Sequence, residues 1–168
     1  MAATQTFDIT TGCDLQEVDN AVNQAIKEIH QRYDFKGVEI GIDFKRDEGK
    51  LILTAPDNYK LNAVWEVVQS KMVKRRVPLK NLKLGKVEPA GGSTVRQEIE
   101  LQQGIPTETA RSIVKFIKDA KMKKVQAAIQ KDQVRVSSPS RDELQMVMGI
   151  LKEHDFGVEL TFGNYRSQ

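Results

Sequence analysis

One cysteine and two histidines are all that this chain of 168 residues offers of the side chains that most often carry thiol, imidazole or metal chemistry. A single Cys13 cannot form a disulfide framework within one chain, and neither CxxC nor HExxH spacing occurs, so the sequence predicts no resident metal and no cofactor. His30 and His154 stand far apart and each falls near a helix end, where a cation complements the dipole. No run of about 18 apolar residues is present, and MAATQTFDITTG has neither a basic nor an apolar leader region. The expectation is a cytoplasmic protein without a membrane partner. Aromatic residues make up only 6% of the chain. Its charge is nearly balanced, with a formal net of +3 from 26 basic and 23 acidic residues.

What the chain does contain is a repeat. TFDITT alternates as a short strand, and Leu15, Val18, Val22, Ala25, Ile26 and Ile29 then recur at helical spacing behind Asp14, with Glu17 placed for a capping box. VEIGIDF, the turn RDEGK and KLILTA predict a hairpin with Val38, Ile40, Ile42 and Phe44 on one face. A second helix behind Pro56 and Asp57 buries Leu61, Val64, Trp65, Val68 and Met72 and stops before Pro78, and Leu82 to Val87 reads as a strand.

After PAGGS the order returns, with strand TVRQEIELQ, helix PTETARSIVKFIKDAK, hairpin strands VQAAIQ and QVRVSS, helix SRDELQMVMGILKEH and strand VELTFG. KLILTAPDNYKLNAVWEVV and QVRVSSPSRDELQMVMGIL align with Pro56 over Pro139. Each half therefore reads βαββαβ, and the expected class is α+β with two ferredoxin-like domains. That fold hosts many activities, so function has to be argued from sites.

Nucleophiles are scarce. Cys13 sits where a strand meets a helix N-terminus, but Asp14 beside it opposes a lowered thiol pKa and no histidine is local. Asp47 and Glu48 lie in a turn, where solvation accounts for them. TTGCD lacks the arginine of an acylphosphatase phosphate loop. The aromatic RNP1 pattern is missing from KLILTA and QVRVSS. An enzyme is not indicated.

Basic residues are the main lead. KMVKRRVPLKNLKLGK, Lys71 to Lys86, holds seven Lys or Arg and no acid. Lys71, Lys74, Arg75 and Arg76 crowd a helix C-terminus, and Asp14 to Glu48 is rich in acids. In the third helix Arg111, Lys115 and Lys118 fall at i, i+4 and i+7 along one flank, and Lys121, Lys123 and Lys124 follow. Such cations also complement helix dipoles and solubilise a surface, which is the plain alternative for each taken singly. Together they suggest an anion-facing surface. In LQQGIP, Gln102, Gln103 and Gly104 precede a helix start, where backbone N–H groups can meet an anion; Gly104 serving only the turn is the competing account.

FDITTGCDLQEVDNAV, RYDFKG, LQQGI, IVKFIKDAKMKKVQAAIQKDQVRV and SRDELQ resemble the YajQ family of bacterial nucleotide-binding proteins nearly end to end. The resemblance implies that the first strands of the two halves are exchanged. Residues 1–12 would join 104–168 in the second ferredoxin-like domain, and Thr94 to Gln102 would complete a first domain of residues 13–103. It further implies a non-catalytic receptor for a nucleotide, cyclic di-GMP or a GTP-like ligand, that acts on a transcription factor. The linked RxxxR and D/N-x-S-x-x-G box of PilZ proteins is absent, so another constellation would bind.

On that basis Arg32, Lys36, Arg111, Lys115 and Lys118 are the expected phosphate contacts, with backbone donation near Gly104. Gln103, Arg135 and Arg141 are the expected guanine-edge or sugar contacts, and Lys71, Lys74, Arg75 and Arg76 the expected partner surface. The competing functions are a nucleic-acid binder using the basic surface as a phosphate track, and a protein-interaction module without a small ligand.

Overall fold

A computed structural model describes residues 3–167. In chain order the elements are β1 (Gln5–Thr10), α1 (Leu15–Gln31), β2 (Gly41–Lys45), β3 (Lys50–Ala55), α2 (Asn58–Lys74), β4 (Leu82–Ala90), β5 (Thr94–Leu101), α3 (Thr107–Asp119), β6 (Gln126–Gln130), β7 (Gln133–Ser138), α4 (Arg141–Glu153) and β8 (Thr161–Ser167). The chain is mixed α and β, with four helices and two four-stranded antiparallel sheets among the described residues, consistent with two ferredoxin-like domains.

Helix starts follow local chemistry. The Asp14 carboxylate accepts from the N–H of Gln16 and Glu17, Asp57 from that of Lys60, and Ser140 Oγ from that of Glu143. Each satisfies donors that the first turn leaves unpaired, worth about 1 kcal/mol apiece. Glu17 does not close a reciprocal box, because its carboxylate accepts from Asn20 Nδ2.

The chain forms two compact units, one running from Cys13 to Gln103 and the other comprising the segment up to Gly12 with everything from Gly104. In the Cys13–Gln103 unit the strand order is β2-β3-β5-β4. Leu51, Leu53 and Ala55 of β3 and Ile99 and Leu101 of β5 alternate onto one face and are buried with Val18, Val22, Leu61, Val64 and Met72 of the helices. Full burial of such side chains contributes roughly 1.5–3 kcal/mol each. Val38 and Ile40 lie outside β2, which begins at Gly41 after the Gly37 turn at φ +72°.

In the other unit the order is β6-β7-β1-β8. β1 pairs with β7 from Gln5↔Ser138 to Ile9↔Val134 and with β8 on its other side. Phe7, Ile9, Val134 and Val136 face Ala110, Ile113, Ile117, Val147 and Leu151 in the core, and the intervening residues of the strands face away from the helices. The last strand runs Thr161–Ser167 rather than VELTFG, so it begins and ends later than periodicity suggests. Gly157 at φ +84° turns the chain ahead of it, and Val158 is buried before the ladder begins.

Candidate functional site

The basic run of the Cys13–Gln103 unit is partly neutralised within that unit. Lys71 Nζ lies 2.9 Å from Glu28 Oε1, and Arg75 Nη1 lies 3.6 Å from Glu17 Oε2, both acids belonging to α1. Acids and bases that are segregated in sequence thus interleave where α1 packs on α2, and Lys71 and Arg75 present less free charge than a linear reading assigns them. Lys74 and Arg76 are exposed and carry no ion pair among the described residues, with Arg76 in the left-handed region at φ +60° just past the helix. Lys71 also holds the Glu28 carboxyl below the usual carboxylate range.

Arg32 meets Asp34 at 2.8 Å and Glu28 at 3.6 Å, and its guanidinium lies 5.2 Å from the Phe35 ring centroid. Lys60 covers the same ring at 5.4 Å and donates to the Asp34 carbonyl. RYDFKG is therefore a packed turn closed by charge and cation–π contacts. Lys36 is exposed beyond it. Gln103 is committed to the backbone: its Oε1 accepts from Cys13 N at 2.6 Å and its Nε2 donates to the Cys13 carbonyl at 2.9 Å. Those are the groups that a guanine edge would need. Burial pushes the Cys13 thiol up to about 11, which leaves it protonated and a poor nucleophile.

In the unit containing Gly104 the expected residues separate onto different surfaces. Gly104 N–H donates to the Thr11 carbonyl at 3.1 Å and Ile105 N–H to that of Asp132 at 2.9 Å, so both donors ahead of α3 are occupied by the chain. Gly104 adopts φ +80°, and a Cβ there would come within 2.5 Å of Asp132 Oδ2. The turn accounts for the glycine. Arg111, Lys115 and Lys118 are exposed along α3, Lys115 pairing with Asp119 at 3.1 Å. Arg135 projects from the opposite, helix-free face of the sheet, because its neighbours Val134 and Val136 point into the core.

On that open face Asp8 is 4% exposed and accepts from Arg135 Nε at 2.9 Å and from Asn164 Nδ2 at 2.6 Å. The hydrogen bond from Arg135 is the main cause that holds the Asp8 carboxyl below its ordinary value, against a desolvation that raises it. Asn164 reaches Asp8 through a β-bulge: the β1–β8 register shifts between Thr6 and Asp8, and Asn164 takes φ +55°. The extra residue re-aims everything after it. Tyr165 turns toward the helix side, its ring 6.2 Å from that of Phe7 and its hydroxyl 3.4 Å from Met148 Sδ, while Arg166 turns to the open face opposite Thr6.

A cleft of about 340 Å³ results between the start of α4 and the ends of β1 and β8, lined by Arg141, Gln145, Met148, Tyr165, Gln5 and Arg166 among others. Tyr165 remains 61% exposed in it. A second depression of about 350 Å³ on the open face shares Thr6 and Arg166 with the first and also carries Arg135 and Gln126.

Residues 5–166 match the family described as nucleotide-binding protein YajQ-like. This chain belongs to the YajQ family. It is 52% identical to a nucleotide-binding protein of Koribacter versatilis over 98% of its own length and 99% of the relative's. A nucleotide-binding protein of Carboxydothermus hydrogenoformans is 49% identical over 99% of this chain and all of its own, and one of Solibacter usitatus is 50% identical over 96% of each. In this YajQ chain, Arg141 is the one expected site residue that lines the cleft with Tyr165. Tyr165 and Arg166 lie beyond the predicted strand VELTFG, and Asp8 lies in TFDITT, whose alternation marks a strand without marking a charge pair across it. The available signal was Asn164, a residue type that tolerates positive φ, directly after Gly163. No helix here is long and apolar enough to cross a membrane. Among the described residues no group of three or more His, Cys, Asp or Glu side chains is arranged to hold a metal ion.

Proposed function

We propose that this YajQ protein is a non-catalytic receptor for an anionic nucleotide, cyclic di-GMP, and that its output is a change in the activity of a transcription factor. The observation that carries the nucleotide is the match over residues 5–166 to a family described by nucleotide binding, joined to relatives of that name matched over at least 96% of this chain. The exposed cations Arg111 and Lys118 on α3, and Arg141 at the start of α4, supply the positive field that such a ligand needs. The protonated Cys13 thiol favours binding over covalent turnover. On the Cys13–Gln103 unit, the exposed Lys74 and Arg76 are cations that could meet a protein partner.

We also infer that the two βαββαβ repeats have exchanged their first strands, since β1 sits between β7 and β8 while β5 sits between β3 and β4. A fragment of residues 1–92 ends before β5 and should give no cooperative melt. A sharp transition with dispersed amide resonances would sink the exchange.

Calorimetric titration of the full chain with cyclic di-GMP, beside GTP and a short RNA, tests the main reading. Cyclic di-GMP should bind with one set of sites, a shallow salt dependence and no hydrolysis. The second reading, a phosphate track for nucleic acid along α3 and the lysines after it, rests on the exposed Lys121, Lys123 and Lys124. It predicts RNA binding alone, with affinity falling steeply between low and physiological salt.

A further inference from the structure

We propose that the cleft between α4 and the ends of β1 and β8 is the seat of a guanine nucleotide, with the base stacked on Tyr165, Arg141 at the base edge and Arg166 at the phosphate. The assignment rests on the nucleotide-binding reading and gives it a site. Tyr165 presents most of its surface while Phe7 and Met148 hold it from behind, which makes a fixed stacking platform in a chain that has few aromatics. Every base has a π face, so an exposed ring of this kind is a general way to hold one.

The charges suit the rest of a nucleotide. Arg141 is exposed and has no carboxylate partner among the described residues, which leaves its guanidinium fork available for the two acceptors of a guanine edge. Arg166 donates from Nε to Asn164 Oδ1 at 3.3 Å and forms no ion pair among the described residues. Asp8, on the open face that Arg166 also reaches, is already matched by Arg135 and Asn164, so Arg166 keeps a net positive charge for a phosphate. Gln5 and Gln145 add amide donors and acceptors to the wall.

Size sets the stoichiometry. At about 340 Å³ the cleft lies at the low end of the roughly 300–1,000 Å³ of small-ligand sites, room for one nucleotide rather than two. The open-face depression, about 350 Å³, lies on the other side of the sheet and shares only Thr6 and Arg166 with the cleft's lining. The second half of a cyclic dinucleotide would therefore lie outside the cleft, with one of its two phosphates at Arg166.

The bulge at Asn164 is what makes this possible. A regular strand would have kept the alternation set by Phe162 and sent Tyr165 to the open face, away from α4.

The test is calorimetry of the full chain and its variants with cyclic di-GMP and with GMP. Tyr165→Ala should weaken cyclic di-GMP by about ten- to a hundredfold and Tyr165→Phe by little, because the phenyl ring still stacks. Arg166→Ala should weaken it by about tenfold or more. On titration of the unmodified protein, the amide resonances of Gln5, Gln145 and Tyr165 should shift, a readout that does not depend on any variant folding. If the unmodified protein binds neither nucleotide, the site and the receptor reading both fall. If it binds while Tyr165→Ala and Arg166→Ala bind equally well and those amides stay still, the receptor reading stands and the site is overturned.

Discussion

Lys71 of α2 and Glu28 of α1 form an ion pair at 2.9 Å in which the lysine side chain is only 13% exposed. Forty-odd residues separate them in the chain, yet this contact and Arg75–Glu17 turn a basic run into one side of a helix–helix seam. A double-mutant cycle of Lys71→Met and Glu28→Gln should give a coupling of about 0.5–1 kcal/mol, since Glu28 is still partly hydrated. Coupling within error of zero would return Lys71 to the free surface.

Asp8 should contribute stability at neutral pH that is lost on acidification. Its folded pKa lies below the ordinary 3.8, so the contribution is fully present above that value and disappears as the pH falls through the lower folded one. Asp8→Asn puts an amide N–H against one of the donors from Arg135 and Asn164 and should cost about 1–3 kcal/mol at pH 7. Melts from pH 7 to pH 2 should show the two proteins converging below about pH 4. A constant gap across that range would mean that Asp8 is not the titrating group.

Gly104→Ala meets two obstacles, the φ of +80° and the Asp132 side chain within 2.5–3.0 Å of the new Cβ. Urea unfolding should show a loss of about 1–3 kcal/mol. Adding Asp132→Ala should recover the steric part and leave the backbone part. A neutral Gly104→Ala would show that the loop moves freely, and would reopen the anion reading of its N–H.

The Cys13 thiol, buried and raised to about 11, should alkylate with iodoacetamide in native protein at pH 8 far more slowly than in denatured protein. Equal rates in the two states would contradict the burial. Gln103→Ala, which removes both side-chain bonds to the Cys13 backbone, should increase the native rate.

Much of this architecture is written locally. The N-caps Asp14, Asp57 and Ser140, the 3.6-residue spacing of Val18, Val22 and Ile29, and the alternation of Leu51, Leu53 and Ala55 each depend on neighbours a few positions away, so the sequence alone determined four helices, two hairpins and their repetition. Membership of the YajQ family was likewise legible, because combinations such as RYDFKG with KDAKMKKVQAAIQ and SRDELQ are long enough to be distinctive. Tertiary structure decided the rest. Any alternating strand offers the same backbone ladder, so only the whole core selects β7 and β8 as partners of β1. Charge runs are one-dimensional, and only helix packing places Glu17 and Glu28 against Arg75 and Lys71. The cleft depends on one extra residue at Asn164, and a one-residue bulge reverses which face every later side chain occupies while leaving the composition of NYRS unchanged.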